Sequence, residues 1–525
     1  MTKSNVFGKV LNQSYNRKVK PTEKTVVDNV PQPTGMLFKA MGNTTTTDNG
    51  ALSNKSTLSD LLDFFSKVGA MRQWSDYQVW ESFQKAFSEN PVYAVRALFW
   101  ARDIRGEGSG ERKVFRNILL NLTGDTKYKT TLEAIIKYVP EYGRWDDLWC
   151  LLDTNYASNV ITLVEAQLNK DGECFSNRQP ISLLAKWLPS ENASNKDTIR
   201  HARIIRKGLG GSSKEYRQLL SRLRDYLHVV EVKMSAGQFD KIDFSKVPSK
   251  ATSMYRKAFK TREPERYAEW LESVSKGESK INASTVYPYD IIRMIGYGSY
   301  VKFDATAEAQ WKALPDYIGD DASNVLCVVD VSGSMTSGSN KYAKPLEVAL
   351  GLGIYCAERL KGIFKDNWIT FSSNPSLQQL KGKTLQEKIQ NIDYTNWQMS
   401  TDLKAVFELV LNTAVKHRIP ESEMPSAIVI ISDMQFNAAT GRNTKTNLDK
   451  IRSMYKKAGY DAPTLIFWNV DAGKDSPATM NDEGVILTSG ASPAVFQSVI
   501  RNLKNVNPYS YMLDVLNSER YSVIN

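Results

Sequence analysis

Residues 325–335 read Val-Leu-Cys-Val-Val-Asp-Val-Ser-Gly-Ser-Met. The apolar run, rich in β-branched valine, predicts a strand covered on both faces, as in the interior of a parallel sheet. It ends on Asp330, and Ser332 and Ser334 follow on either side of Gly333. A tight turn there can aim one carboxylate and two hydroxyls at a single point. Such a point offers hard oxygen donors with neither His nor Cys, and suits a hard divalent cation such as Mg²⁺ or Mn²⁺. The plainer alternative is a buried strand followed by a serine-rich turn with no ligand.

The surrounding pattern extends this reading. Strands are predicted over 324–330, 368–371, 427–431 and 464–470, with helices between them over 345–360, 403–415 and 446–458. Alternation of this kind implies an α/β domain, here 320–505, built on a doubly wound parallel sheet. Such sheets bind ligands at the carboxyl ends of their strands. Asp330 ends one strand, and Asp433 follows Ile428-Val429-Ile430-Ile431-Ser432 at the end of another. Residues 506–525 are expected to be a C-terminal tail.

The preceding stretch, 51–310, has helical spacing. Leu58, Leu61, Leu62, Phe65 and Val68 recur on one face, Val95, Leu98 and Phe99 on a second, and Leu219, Leu223, Leu227 and Val230 on a third. Gly and Pro break the pattern at 90–91, 106–110, 142–143, 188–189, 208–211 and 247–248. No strict repeat length emerges, so an irregular all-helical repeat domain, HEAT-like in style, is expected rather than a regular solenoid. Residues 1–50 contain little apolar periodicity and the run Thr44-Thr45-Thr46-Thr47, and are expected to be a disordered tail.

Charge is distributed unevenly. The net charge is +11, and residues 186–262 hold 18 Lys and Arg against 7 Asp and Glu, which accounts for all of it. A local basic excess favours a polyanion, most often a nucleic acid, although a solvated basic surface reads the same way. Arg200, Arg203, Arg206 and Lys207 crowd one side of a predicted helix, and Lys214, Arg217, Arg222 and Arg224 extend the field; these are the candidate RNA contacts. Tyr216, Tyr226, Tyr255 and Tyr267 lie in or beside the segment and suit core packing better than base stacking. At 42% hydrophobic and 24% charged, the chain has a soluble globular composition. No apolar run reaches the ~18–20 residues that cross a bilayer, and Met-Thr-Lys-Ser-Asn-Val-Phe is not a signal-peptide core, so a cytoplasmic protein without membrane partners is expected. Cys150, Cys174, Cys327 and Cys356 show no pairing pattern and are expected to be reduced.

The spacing Asp330-x-Ser332-x-Ser334 resembles the metal-ion-dependent adhesion site (MIDAS) of von Willebrand factor A (vWA) domains, whose sheet is Rossmann-like. The family's later Thr and Asp are matched by Thr401, in Met399-Ser400-Thr401-Asp402-Leu403, and by Asp433. Gln398-Met399 stand where the family carries small glycines. The resemblance implies that Asp330, Ser332, Ser334 and Thr401 hold the cation directly or through water, that Asp433 acts through water, and that an acidic side chain of a partner completes the metal's shell. A helical half followed by a vWA half also resembles the TROVE-module, Ro-like proteins, and more closely an uncharacterised Ro-related family with the same order of halves. The residues that carry this are Ala101-Arg102-Asp103-Ile104-Arg105-Gly106, Gly110-Glu111-Arg112, Tyr142-Gly143-Arg144-Trp145-Asp146-Asp147-Leu148, Ser221-Arg222-Leu223-Arg224, Val247-Pro248-Ser249-Lys250, Ser432-Asp433-Met434-Gln435-Phe436 and Leu465-Ile466-Phe467-Trp468-Asn469-Val470. It implies a non-catalytic protein that binds structured non-coding RNA or single-stranded RNA ends.

Other signals point away from catalysis. The loop 106–112 is glycine-rich but lacks the Gly-Lys-Ser/Thr ending of a P-loop, which favours a tight helix connection over a phosphate cradle. The three histidines, His201, His228 and His417, fall in no nucleophile–base arrangement. An assembly module whose metal centre binds an acidic protein, with the helical half as scaffold, is the alternative to an RNA-binding protein.

Overall fold

The computed structural model describes residues 40, 42–319, 324–337, 343–371, 374–395, 397, 402–437, 447–471, 473, 475–504 and 506–524. The chain forms two compact units. Arg116–Gln238 belongs to one, and Met36–Phe115 with Phe239–Asn525 makes up the other. A helical N-terminal region does precede an α/β sheet, as expected, but the boundary differs. The helices before residue 116 and after 238 share a unit with the sheet, whereas a separate helical domain over 51–310 was expected.

The sheet-containing unit begins with a hairpin, β1 (Thr44–Thr46) and β2 (Leu52–Asn54), paired Thr44 to Asn54 and Thr46 to Leu52. This corrects the expected disorder over 42–50; residues 1–39, on which the rest of that expectation falls, lie outside the described residues. The threonines are β-branched strand formers, and Asn49-Gly50 is a strong turn signal. Gly50 takes φ +81°, which costs a residue without a Cβ little.

Helices α1 (Asp60–Lys67) and α2 (Pro91–Arg102) follow. Ser59 caps α1 by accepting from Leu62 N, and Leu61, Leu62, Phe64 and Phe65 of α1 are buried. Just beyond α1, a Cβ on Gly69 would collide with the Ser489 carbonyl, so the chain and the sheet's last strand meet backbone to backbone. Further on, α3 (Pro288–Ile295) buries Ile291, Ile292 and Ile295.

Six strands form one sheet: β3 (Val325–Asp330), β4 (Asn367–Phe371), β5 (Leu377–Gln379), β6 (Ala427–Ser432), β7 (Thr464–Asn469) and β8 (Val485–Ser489). Their order is β5-β4-β3-β6-β7-β8, parallel throughout except for β5, which runs antiparallel to β4. Side chains alternate across it. Leu326, Val328, Ile428, Ile430, Leu465 and Phe467 join one core with residues of α5 (Leu403–His417) and α6 (Asn447–Ala458). On the other face lies α4 (Pro345–Arg359). A Cβ on its Gly353 would strike Val329 of β3, and one on its Gly351 would lie 2.8 Å from Tyr289 N of α3. The helix is thus wedged between the sheet and α3.

Residues 506–524 are not a tail. Helix α7 (Pro508–Leu516) buries Tyr511, Met512, Val515 and Leu516, and the Tyr511 ring lies 5.9 Å from that of Phe65. Arg520 and Tyr521 then grip the buried Asp103 carboxylate, Arg520 NH2 at 2.8 Å and Tyr521 OH at 2.9 Å. Asp103 also accepts from the backbone of Arg105 and Gly106, and Glu111 pairs with Arg72 at 2.5 Å. The glycine-rich loop is a tightly braced connection whose acidic residues are spoken for.

In the other unit, Lys196–Gly208 and Ser213–Tyr226 are helices capped by Asn195 and Ser212. Ala202 and Ile205 are buried on the first, and Tyr216, Leu220 and Leu223 on the second. The buried face of the second therefore runs through Leu220, while Leu219 is half-buried. Tyr216 is a core residue whose OH donates to Pro189 O at 2.9 Å; in the sheet-containing unit Tyr267 is likewise buried, its OH 3.0 Å from Thr306 Oγ1.

Candidate metal centre

The strand order reverses between β3 and β6. The chain leaves β3 towards β4 on one side, then returns to β6 on the other. Connections diverge there and leave a crevice at the carboxyl ends, which is where doubly wound sheets bind ligands. Asp330 and Asp433 stand at the two strand ends that border it.

Asp330 is 0% exposed and Asp433 3%. Asp330 Oδ1 accepts from Ser332 N at 2.9 Å, and its Oδ2 accepts from Ser432 Oγ at 2.6 Å. Ser332 Oγ and Ser334 Oγ lie 3.1 Å apart. Ser334 is exposed and Ser332 buried, so the pair leads from the carboxylate to the surface. Asp433 Oδ1 accepts from Gln435 N at 3.0 Å, and Ser432 Oγ accepts from Met434 N at 3.0 Å. Met434 turns the chain with φ +68°, and Gly473 approaches so closely that a Cβ there would lie 2.9 Å from Asp433 O.

Burial, then the neighbouring Asp433 carboxylate, pushes the Asp330 carboxyl up to about 7, against the pull of hydrogen bonds from Ser432 and Ser332. Two carboxylates buried side by side repel, and a cation relieves that. The donors are carboxylate and hydroxyl oxygens, a set suited to Mg²⁺ or Mn²⁺. Among the described residues no three His, Cys, Asp or Glu side chains converge, so the hydroxyls would be essential to the shell. The structure brings Asp330, Ser332, Ser334 and Asp433 to the carboxyl ends of β3 and β6. Thr401 lies outside the described residues. Its neighbour Asp402 caps α5, accepting from Ala405 N at 3.1 Å. Sequence spacing singles out neither Ser432, which directly precedes Asp433 and bonds Asp330, nor Gln435, whose backbone bonds Asp433.

The candidate RNA contacts divide into two groups. Arg203, Lys207, Lys214, Arg217 and Arg222 are exposed. Arg200 is exposed too, but pairs with Asp153 and Asp197 at 2.7 Å each. Arg206 was expected on the surface and is instead half-buried, bonded to Glu191 at 2.7 Å and to Gly211 O at 2.9 Å. Arg224 is half-buried as well. It donates to Ala185 O (2.9 Å), Ser190 Oγ (2.8 Å) and Leu188 O (2.6 Å), tying its helix to the preceding segment. The two corrections share a cause: Arg206 and Arg224 lie beside the apolar stripe, where a long side chain reaches inward to loop carbonyls.

A family described as a domain of unknown function (DUF2828) matches residues 47–148 and 211–323, and a second, also described as a domain of unknown function (DUF7788), matches 324–511. The junction falls just before β3. The crystal structure of the Deinococcus radiodurans Ro (RSR) protein is similar at a TM-score of 0.45 and 15% identity, over 85% of this chain and 99% of that one. The protein named "Uncharacterized protein L728" of Acanthamoeba polyphaga mimivirus is 33% identical over 513 residues, which span 91% of this chain and 88% of that protein. With a third of its residues shared over nearly the whole of both chains, this protein belongs to the same family as the mimivirus protein.

Proposed function

We propose that this is a non-catalytic, Ro-like RNA-binding protein that also recognises a partner through a divalent cation held at the ends of β3 and β6. The observation that carries the cation site is the pair of buried carboxylates, Asp330 and Asp433, with Ser332, Ser334 and Ser432 around them. Asp330 and Ser332 with Ser334 would hold Mg²⁺ or Mn²⁺, and Asp433 would act through water. When bound, the ion supplies an open position for an anionic group of the partner. The chain's own residues shape that position: Ser432 fixes the Asp330 carboxylate, and the exposed Ser334 marks the side from which a partner approaches.

The RNA reading rests on the basic excess over 186–262 and on the exposed cations of the two capped helices. The alternative, an assembly module that binds an acidic protein, is favoured by the engagement of Arg200, Arg206 and Arg224 within the fold. One experiment separates them. The full-length protein is purified from its host and co-purifying RNA is sequenced, with parallel samples treated with RNase or EDTA. RNA that stays bound and leaves steeply as salt rises supports the first reading. A protein partner lost in EDTA and indifferent to RNase supports the second.

A further inference from the structure

The tip of the β1–β2 hairpin sits on the segment that leaves β6. Asp48 N donates to Gln435 Oε1 at 3.0 Å, and Asn49 Nδ2 donates to Gln435 O at 2.7 Å. Thr47 Oγ1 donates to Phe436 O at 2.5 Å, and Gly50 bridges Asn437. At the other end of the hairpin, Asn54 and Ser476 exchange backbone hydrogen bonds of 3.0 and 2.8 Å, and Ser53 Oγ donates to Ser476 O at 3.0 Å. The hairpin therefore ties the segment after β6 to the segment after β7. Gln435 links it to the site, because the same residue's backbone N–H donates to Asp433 Oδ1 at 3.0 Å.

We infer that Gln435 is a positioning residue of the candidate metal centre, and that the hairpin turn, 387 residues earlier in the chain, sets its position and so tunes cation affinity. The inference rests on the metal reading proposed above. Its physical basis is the chain of bonds from turn to Gln435 to Asp433. Met434 stands between the two site residues in a left-handed conformation that a non-glycine side chain keeps only while its surroundings enforce it. The hairpin is one enforcing element, beside the bond from Met434 N to Ser432 Oγ: it holds Gln435 by side chain and carbonyl, and Phe436 by its carbonyl. Groups that orient the side chains around a metal contribute to its affinity, and losing one typically costs about 10–100-fold.

The test uses the full chain stripped with EDTA, Mn²⁺ titrated by calorimetry, and the metal-free melting temperature recorded beside it. Gln435→Ala keeps the backbone N–H that bonds Asp433 but loses the side-chain tie to Asp48, and is expected to weaken Mn²⁺ binding by up to about ten-fold, the lower end of the cost of losing an outer-shell partner outright. Asn49→Ala and Thr47→Val should shift affinity in the same direction by less, and Thr47→Ser, which keeps the hydroxyl, should restore it. If the unmodified chain binds no Mn²⁺, the metal reading itself falls. Should it bind Mn²⁺ while Gln435→Ala and Asn49→Ala bind equally well, only the positioning role is lost. Hairpin variants that lower the metal-free melting temperature and leave affinity unchanged would make the hairpin a plain structural clasp, and overturn the inference. If Gln435→Ala fails to fold, the exposed Asn49→Ala decides.

Discussion

Charge is handled in opposite ways at the sheet's switch point and on the basic helices. At the ends of β3 and β6, two carboxylates of like sign are buried together, with hydroxyl and backbone donors and no described cationic partner. On Lys196–Gly208 and Ser213–Tyr226 the charges are mostly exposed, and several already have partners within the fold. Burying like charges is costly, and such a pair is relieved by taking up a proton, by hydrogen bonds or by a bound cation. Exposed cations cost little and say correspondingly less about what they bind. The first region is where we propose a specific ligand; the second permits a class of them.

The largest expected effect would break this contrast directly. Removing the Asp330 carboxylate by Asp330→Ala should abolish stabilisation by Mg²⁺, which for a bound ion amounts to roughly 2.7 kcal/mol at free ion 100-fold above its dissociation constant. Melting curves in EDTA and in millimolar Mg²⁺ or Mn²⁺ check this. An unmodified chain with no shift between the two would show that its buried carboxylates are a structural feature only.

Arg224 tests the opposite claim, that part of the basic region serves the fold. Arg224→Ala leaves the carbonyls of Ala185 and Leu188 without their donor. A loss of about 1–3 kcal/mol in denaturant unfolding is expected. A variant as stable as the original would return Arg224 to the surface field.

The pH dependence sharpens the site's side of the comparison. Burial, then the Asp433 carboxylate, pushes the Asp330 carboxyl up from its ordinary 3.8 to about 7 in the folded, metal-free chain. Between those values the folded chain holds a proton that the unfolded chain has released. Stability from this group is therefore fully present below about pH 4 and is lost as pH rises towards 7, by at most about 1.4 kcal/mol per pH unit. Asp330→Asn should remove that component of the slope. Unfolding in EDTA at a series of pH values would show it, and identical slopes for the two chains would contradict the proposed burial effect.

The smallest effect on stability is expected where the charge is exposed. Changing Arg203, Lys207, Lys214 and Arg222 to Glu, one at a time, should move stability by no more than about 0.5 kcal/mol each. If this face binds RNA, removing a cation that neutralises one phosphate should flatten the log–log salt dependence on single strands by about 0.7. Four variants with unchanged affinity and salt slope would leave this face as a solvated surface.

Much of the site was legible because its signals are local. A valine-rich run ending in Asp330-x-Ser332-x-Ser334 identifies a buried strand and the turn after it, and Ile428-Val429-Ile430-Ile431 does the same for the strand before Asp433. Strand β5, Leu-Gln-Gln, is too short and polar to show a period, whereas β8, Val-Ile-Leu-Thr-Ser, is as long as β4 and carries an apolar run, yet is absent from the expected strands. The Thr44–Thr46 strand was hidden by a polar composition that resembles a tail, although Asn49-Gly50 marked its turn.

What the sequence determined by itself was the sequence-local chemistry: which strands are buried, where their polar ends fall, and that the donors there are oxygens. Only the tertiary structure decided which distant segments meet. Gly69 against Ser489, Asp103 against Arg520, and the hairpin against Gln435 join residues that no spacing relates. It also decided that Arg206 and Arg224 turn inward while Arg203 and Lys207 stay out. The reason is physical. Strand burial and turn geometry are set by a few consecutive side chains, whereas the partner of a buried charge is chosen by whatever the whole fold places within hydrogen-bond reach.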